Sequence, residues 1–217
     1  MLLLAAFLGN PGTQYRASRH NAGWHLAQRL PFYEQLKWRR KFKGLWAQTE
    51  REELFSFCTE DGAPDNSLIQ EKISFVMPGT YMNRSGESVS GAASFLKIKP
   101  EKIIVIHDEL ELPLGTISLK FGGGLGGHNG LRSMKASFGT ADFWRLRIGI
   151  GRPDSRLPGQ GGREGSGEGI VDWVLSDFDR EEVPVLEPAL EAAAGLLTKA
   201  FVHGPEKYLP AWSKKAI

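Results

Sequence analysis

Apolar residues gather in short runs bounded by turn residues, at 2–8, 44–50, 53–58, 69–77, 102–107, 115–121, 143–150 and 170–175. Runs of that length read as β-strands. Ile103, Ile104, Val105 and Ile106 show no polar alternation, which predicts a strand buried on both faces. Helical patterns sit between the strands. Ser18 is placed to cap a helix through about Arg29. Ser85 is placed to cap another, with Val89, Ala92, Ala93 and Leu96 on one apolar stripe. A third is predicted from His128 or Asn129 to Ser137, ended by Gly139. A fourth covers 181–202, with Val183, Leu186, Leu190, Ala194 and Leu197 as its core face. Pro184 suits its first turn, whereas Pro188 should kink it or delay its start. Asp61 to Asn66 reads as a hairpin turn, so an antiparallel part is expected around 53–77. The alternation of strands and helices predicts a single α/β domain over 1–217, with a twisted, mixed and largely parallel sheet between helical layers.

Composition narrows the class. With 217 residues, 41% hydrophobic and 24% charged, the chain is long enough to bury a real core, and disorder, collagen and coiled coil are excluded as the main architecture. The one cysteine, Cys58, excludes an internal disulfide and reads as a reduced, buried thiol, which implies the cytosol. No window reaches about 18 consecutive apolar residues, so no membrane partner is expected. The apolar opening lacks a basic front and runs into Gly9-Asn-Pro-Gly12, which fits a buried strand better than a signal peptide.

The net charge of +2 demands no nucleic-acid partner, but its distribution matters more. Lys37, Arg39, Arg40, Lys41 and Lys43 put five cations into seven residues, among Trp38, Phe42 and Trp46. That run is either a solvated helix end or loop, or a phosphate-tracking patch with stacking rings. Glycine is concentrated too, with six within 122–130 and seven within 151–169.

The loop 122–130 satisfies a dinucleotide pattern at Gly122, Gly124 and Gly127, but it lies past mid-chain and lacks the acidic residue about 20 positions on that a ribose requires. Its remaining use is a mobile backbone segment that delivers His128 and Asn129 to a helix start. No serine sits in a nucleophile elbow, and no two histidines have helical metal-ligand spacing. A hydrolase on this chain must therefore activate water with a side chain. His20 follows a Gly-Asn-Pro-Gly turn near the start of the first helix. Asp108 ends the buried strand, where it is either a turn residue or a carboxylate that orients a histidine ring. Asn10, Asn83 and Asn129 stand at strand-to-helix junctions, either as caps or as neutral partners for a polar substrate. Lys120 closes a strand before the glycine loop, and Arg145 and Arg147 lie on one face of another strand. They are surface charge or a phosphate clamp.

Several stretches in order carry a resemblance: Phe7-Leu-Gly-Asn-Pro-Gly-Thr13 with Tyr15, Arg19-His-Asn-Ala-Gly23, Pro78-Gly-Thr-Tyr-Met-Asn-Arg-Ser-Gly86, His107-Asp-Glu-Leu110, Gly122 to Leu131, and Phe143 to Pro153. Together they resemble the bacterial type of peptidyl-tRNA hydrolase over about 7–153. The resemblance implies cleavage of the ester between a peptide and the 3′-terminal ribose of tRNA, by a monomer with no metal or other cofactor. It assigns His20 as general base and Asp108 as the group that orients it. Asn10 and Asn83 then hold the substrate and the surroundings of the histidine. Tyr15 and Met82, with Tyr81 beside it, line the site. His128 and Asn129 belong to a gate loop, with Asn129 positioning the water, and Lys120 and Arg147 bind the 5′-phosphate of the tRNA. The segments 151–169 and 203–217 depart from the pattern. Plant-organelle proteins of this type serve RNA splicing without catalysis, which is the alternative reading; a small-molecule esterase is a third.

Overall fold

The computed structural model describes residues 1–58, 71–153 and 167–217. Its strands are β1 (Leu4–Phe7), β2 (Arg39–Lys41), β3 (Gly44–Glu50), β4 (Lys72–Pro78), β5 (Ile103–Glu109), β6 (Thr116–Phe121), β7 (Trp144–Gly149) and β8 (Lys215–Ala216). Its helices are α1 (Ala22–Ala27), α2 (Arg51–Phe55), α3 (Ser85–Leu96), α4 (Asn129–Phe138), α5 (Gly167–Leu175), α6 (Val183–His203) and α7 (Leu209–Trp212). One sheet runs in the order β2-β3-β4-β1-β5-β7-β6-β8. The central four strands are parallel, and both flanks are antiparallel.

The centre is parallel because helices cover both of its faces. Successive residues of β1 and β5 alternate between two cores. Ala5, Phe7, Ile104 and Ile106 pack with α1 and α6, whereas Leu4, Ala6, Ile103 and Val105 pack with α3 and α4. All catalytic candidates then gather where parallel strands end and their connections leave the sheet, the usual place for a ligand in an open α/β sheet.

Several expectations shift. The run 53–58 is helical in its first part, in α2, because burial falls on Arg51, Leu54 and Cys58 at helical spacing. The run 170–175 is likewise helical, in α5, with Ile170, Trp173 and Val174 turned inward. The cationic run is neither helix end nor loop in its middle: Arg39–Lys41 is an edge strand paired with β3, and charged residues suit an edge that must not recruit another strand. The helix expected from Ser18 to Arg29 is split into a 3-10 turn, Arg19–Asn21, and the short α1. Ser18 does not cap it, and neither does Ser85 cap α3; Ser85 is the first residue of that helix and donates to the Met82 carbonyl. Pro188 does not delay α6, which starts at Val183 and continues through it. The hairpin turn at Asp61 to Asn66 and most of the glycine-rich stretch 151–169 lie outside the described residues.

Candidate active site

His20 reaches the end of β5 because α1 approaches the sheet backbone closely. A Cβ on Gly23 would lie 2.5 Å from the Leu8 carbonyl oxygen and 2.8 Å from that of Ile106, so only glycine permits this approach. The preceding residue locks the turn from the other side. Arg19, 1% exposed, donates from both terminal nitrogens to Glu182 at 2.8 and 2.7 Å, and its guanidinium lies 3.7 Å from the centre of a Trp173 ring.

His20 Nδ1 lies 2.8 Å from Asp108 Oδ1. His128 Nε2 lies 3.0 Å from the same oxygen. The backbone fixes the tautomer of His128. Its Nδ1 accepts from the amides of Gly130 and Leu131 as the N-cap of α4, so the ring proton is on Nε2 and is donated to Asp108. Asp108 is 3% exposed. Burial opposes its charge, but the two histidines facing it outweigh that, and its carboxyl is held well below the usual carboxylate range. Burial also opposes a charged His20, yet the Asp108 charge and hydrogen bond prevail and raise its pKa above the ordinary histidine value. With Nδ1–H donated to Asp108, Nε2 of His20 is the basic nitrogen.

His20, Asp108 and His128 are also the one group of three among the described residues whose ligand-type atoms could hold a metal, all within 4.8 Å of one another. In this geometry hydrogen bonds join them. His107, missed as a participant in the sequence, stacks edge-on against His128 with ring centres 4.9 Å apart. Burial and the neighbouring His128 hold its pKa well below the usual value, so it packs as a neutral ring.

The rim around this buried core is built differently. Asn10 is buried; its Oδ1 accepts from the Met82 amide at 2.7 Å, which leaves its Nδ2 donor for a ligand. Asn21, which sequence reasoning passed over, braces it by accepting from the Asn10 amide and donating to its carbonyl. Asn10, His20, Tyr81, Met82, Asn83 and Asn129 line one open cavity of about 310 Å³. Asn83, Asn129 and Tyr81 are exposed there. Tyr15 stands edge-on to Tyr81, with ring centres 6.5 Å apart. A second cavity of about 380 Å³ adjoins on the gate side, lined by His20, Asp108, His128, Asn129 and Arg132. Val171 and Val174 of α5 wall both cavities. A helical reading of 170–175 would have found that wall, since the residues stand three apart.

Lys120 and Arg147 lie on adjacent strands, but they are not directly opposed. The register sets Lys120 against Arg145, and Ser118 against Arg147. Residues 145 and 147 share a face, so all three cations project from one side of the sheet. Arg147 donates to Ser118 at 2.7 Å and meets Glu109 at 3.4 Å. Arg145 is not surface charge. It is 2% exposed and donates to the carbonyls of Gly124 and Gly123 at 2.6 and 2.9 Å, which ties the glycine loop to β7. Gly122, Gly123, Gly126 and Gly127 hold φ of 58°, 91°, 57° and 75°, a path that side chains resist.

A sequence model of the family described as Peptidyl-tRNA hydrolase matches residues 4–216. The chain belongs to the peptidyl-tRNA hydrolase family. A peptidyl-tRNA hydrolase of Treponema pallidum is 43% identical over 217 residues, covering 99% of this chain and 96% of that one. The crystal structure of the peptidyl-tRNA hydrolase from Acinetobacter baumannii aligns with a TM-score of 0.76 at 32% identity, over 98% of this chain and 92% of that one. A peptidyl-tRNA hydrolase solved in complex with N-propanol aligns with a TM-score of 0.74 at 31% identity and the same coverage. The fold class and the family expected from the sequence are both shown, and with them the enzymatic activity on peptidyl-tRNA. No helix among the described residues is long and apolar enough to cross a membrane.

Proposed function

We propose that His20 is the general base that hydrolyses the ester of peptidyl-tRNA, acting as a monomer in the cytoplasm and without a metal ion. The observation that carries this is the 2.8 Å contact between His20 Nδ1 and Asp108 Oδ1, on a histidine that also lines both cavities. Nε2 takes a proton from water as the water oxygen attacks the ester carbonyl. The tetrahedral intermediate then collapses, and the imidazolium gives its proton to the departing ribose oxygen, which becomes the free hydroxyl, so peptide acid and free tRNA leave. Asn129 positions the water. Asn10 Nδ2 and Asn83 donate to the carbonyls flanking the ester, and Tyr15, Tyr81 and Met82 shape the peptide side. Donors left unpaired by a shorter substrate would favour peptidyl over aminoacyl esters. His128 holds Asp108 and the start of α4 together, and Lys120 with Arg147 binds the terminal phosphate of the tRNA.

The test is release of an N-blocked amino acid from charged tRNA by the purified protein and by His20→Ala. Turnover by the first and its loss in the folded second support the assignment; equal turnover overturns it.

A further inference from the structure

The substrate is linear, and the sheet gives it a direction. On the assignment given above, the ester would lie beside Asn10 and His20, past the end of β1, and the cations that would take the tRNA end project from β6 and β7. On the same assignment the peptide would leave on the opposite side, over β4 towards β3 and β2. A groove of about 670 Å³ lies there, lined by Pro11, Trp24, Arg40, Leu45, Met77 and Thr80 among others. It is continuous in sequence with the site: Pro11 follows Asn10, and Thr80 precedes Tyr81 and Met82.

The groove carries unsatisfied groups. The Trp24 indole Nε1 and the Thr80 hydroxyl are buried without a hydrogen-bond partner. Such atoms are costly unless something binds them. The floor is apolar, with Leu45 of β3 opposite Met77 of β4 in the register. At the rim stand three cations, of which one has no ion pair or ring contact among the described residues. Lys43 pairs with Glu87 at 2.8 Å, and Lys41 Nζ lies 3.7 Å from the centre of the Phe95 ring. Arg40 is exposed and has no ion pair among the described residues. The hairpin that presents it turns through Phe42 at φ 53° and Lys43 at φ 55°, the two left-handed positions that a two-residue hairpin loop requires, which fixes Arg40 opposite Leu45 on the groove face.

We infer that this groove is a subsite for the nascent peptide and that it prefers an acidic side chain, held by Arg40, with the Trp24 and Thr80 donors on the peptide backbone. Two to three strand spacings separate the ester from β3 and β2, roughly 10–14 Å, which an extended peptide spans in about three to four residues. The acidic preference therefore falls at about the third or fourth residue counted from the ester. This inference rests on the assignment of ester and phosphate ends given above.

The experiment compares kcat/KM on four substrates of one tRNA: N-acetylalanyl-tRNA, and N-acetyl-tetrapeptidyl-tRNAs with alanine throughout or with glutamate or lysine farthest from the ester. The native protein should favour glutamate over lysine. Arg40→Glu should lower the glutamate substrate about tenfold and favour lysine, as expected when one charge-assisted contact is inverted. N-acetylalanyl-tRNA should stay within about twofold, because it does not reach the groove. Trp24→Phe, which keeps the ring against Gly9, should lower all three tetrapeptides and spare the single residue. An equal loss on all four substrates with Arg40→Glu would mean that the groove holds RNA, and no change on any would mean that it holds no part of the substrate; either overturns the inference. Failure of the catalytic reading is seen separately, as N-acetylalanyl-tRNA turnover that survives in His20→Ala.

Discussion

The catalytic core and the rim of the site are built on opposite principles. In the core, His20, Asp108 and His128 are closed on one another, and the carboxylate oxygen of Asp108 receives two ring nitrogens at 2.8 and 3.0 Å. Arg19 and the cap of α4 hold the two histidines from behind. At the rim, Asn83, Asn129 and Tyr81 are exposed, and Asn10 keeps a donor in reserve. A base must be oriented before substrate arrives, and orientation comes from packing and paired charge. Substrate donors must stay unpaired until it arrives. Changes in the core should therefore act on turnover, and changes at the rim on substrate recognition.

The largest expected effect comes from the core. His20→Ala should lower turnover about 10²- to 10⁴-fold, the span of a positioned base, while tRNA binding survives. Single-turnover kinetics with a separate binding assay checks this, and a parallel loss of binding would merge the two regions. Asp108→Asn should cost less, because the ring remains. It should also move the pH profile. A base works when neutral, so kcat/KM falls as pH drops through the His20 pKa, which lies above 6.5 in the native protein. Without the Asp108 charge, burial, the largest single cause, is left less opposed, so the acid-side inflection should move to lower pH. An unmoved inflection would assign the titration to another group.

Lys120→Ala or Arg147→Ala should weaken whole tRNA substrates by roughly 10- to 100-fold through lost charge-assisted bonds, and barely affect short 3′-end fragments. Crossing each variant with tRNA lacking its 5′-phosphate decides the matter: strict additivity would reduce these residues to surface charge. The smallest effect should follow Gly124→Val. No atom lies within 4 Å of a Cβ built at Gly124, so stability should barely change while substrate entry or release slows a few-fold. Hydrogen exchange gives the complementary reading. Arg145 pins the Gly123 and Gly124 carbonyls, so Arg145→Gln should speed exchange across 122–127 more than elsewhere. Uniform exchange across the loop in both proteins would show that the latch does not hold it.

The sequence by itself determined the elements whose cause is local. The unbroken apolar run at 103–106 specified the central strand, His128 and Gly139 bounded α4, and ordered motifs named His20, Asp108 and the asparagines with the family. Local pattern failed where burial came from the far side. Short apolar runs fit strand and helix alike, so the runs that form α2 and α5 read equally as strands, and only the burial of Leu54, Val174 and their neighbours shows which face the core takes. Charge alone reads the run around Arg39–Lys41 as a helix end, a loop or a phosphate-tracking patch, because edge pairing with β3 is a property of the partner strand. Tertiary structure alone decided which polar groups meet. Eighty-eight residues separate His20 from Asp108, and 157 or more separate Arg19 from Ser176 and Glu182. No periodicity encodes contacts at such separations, because they arise only when the sheet aligns strand ends and Gly23 lets α1 settle against them. The same holds for Arg145, whose alternation marks a strand face but not the loop carbonyls that fold over it.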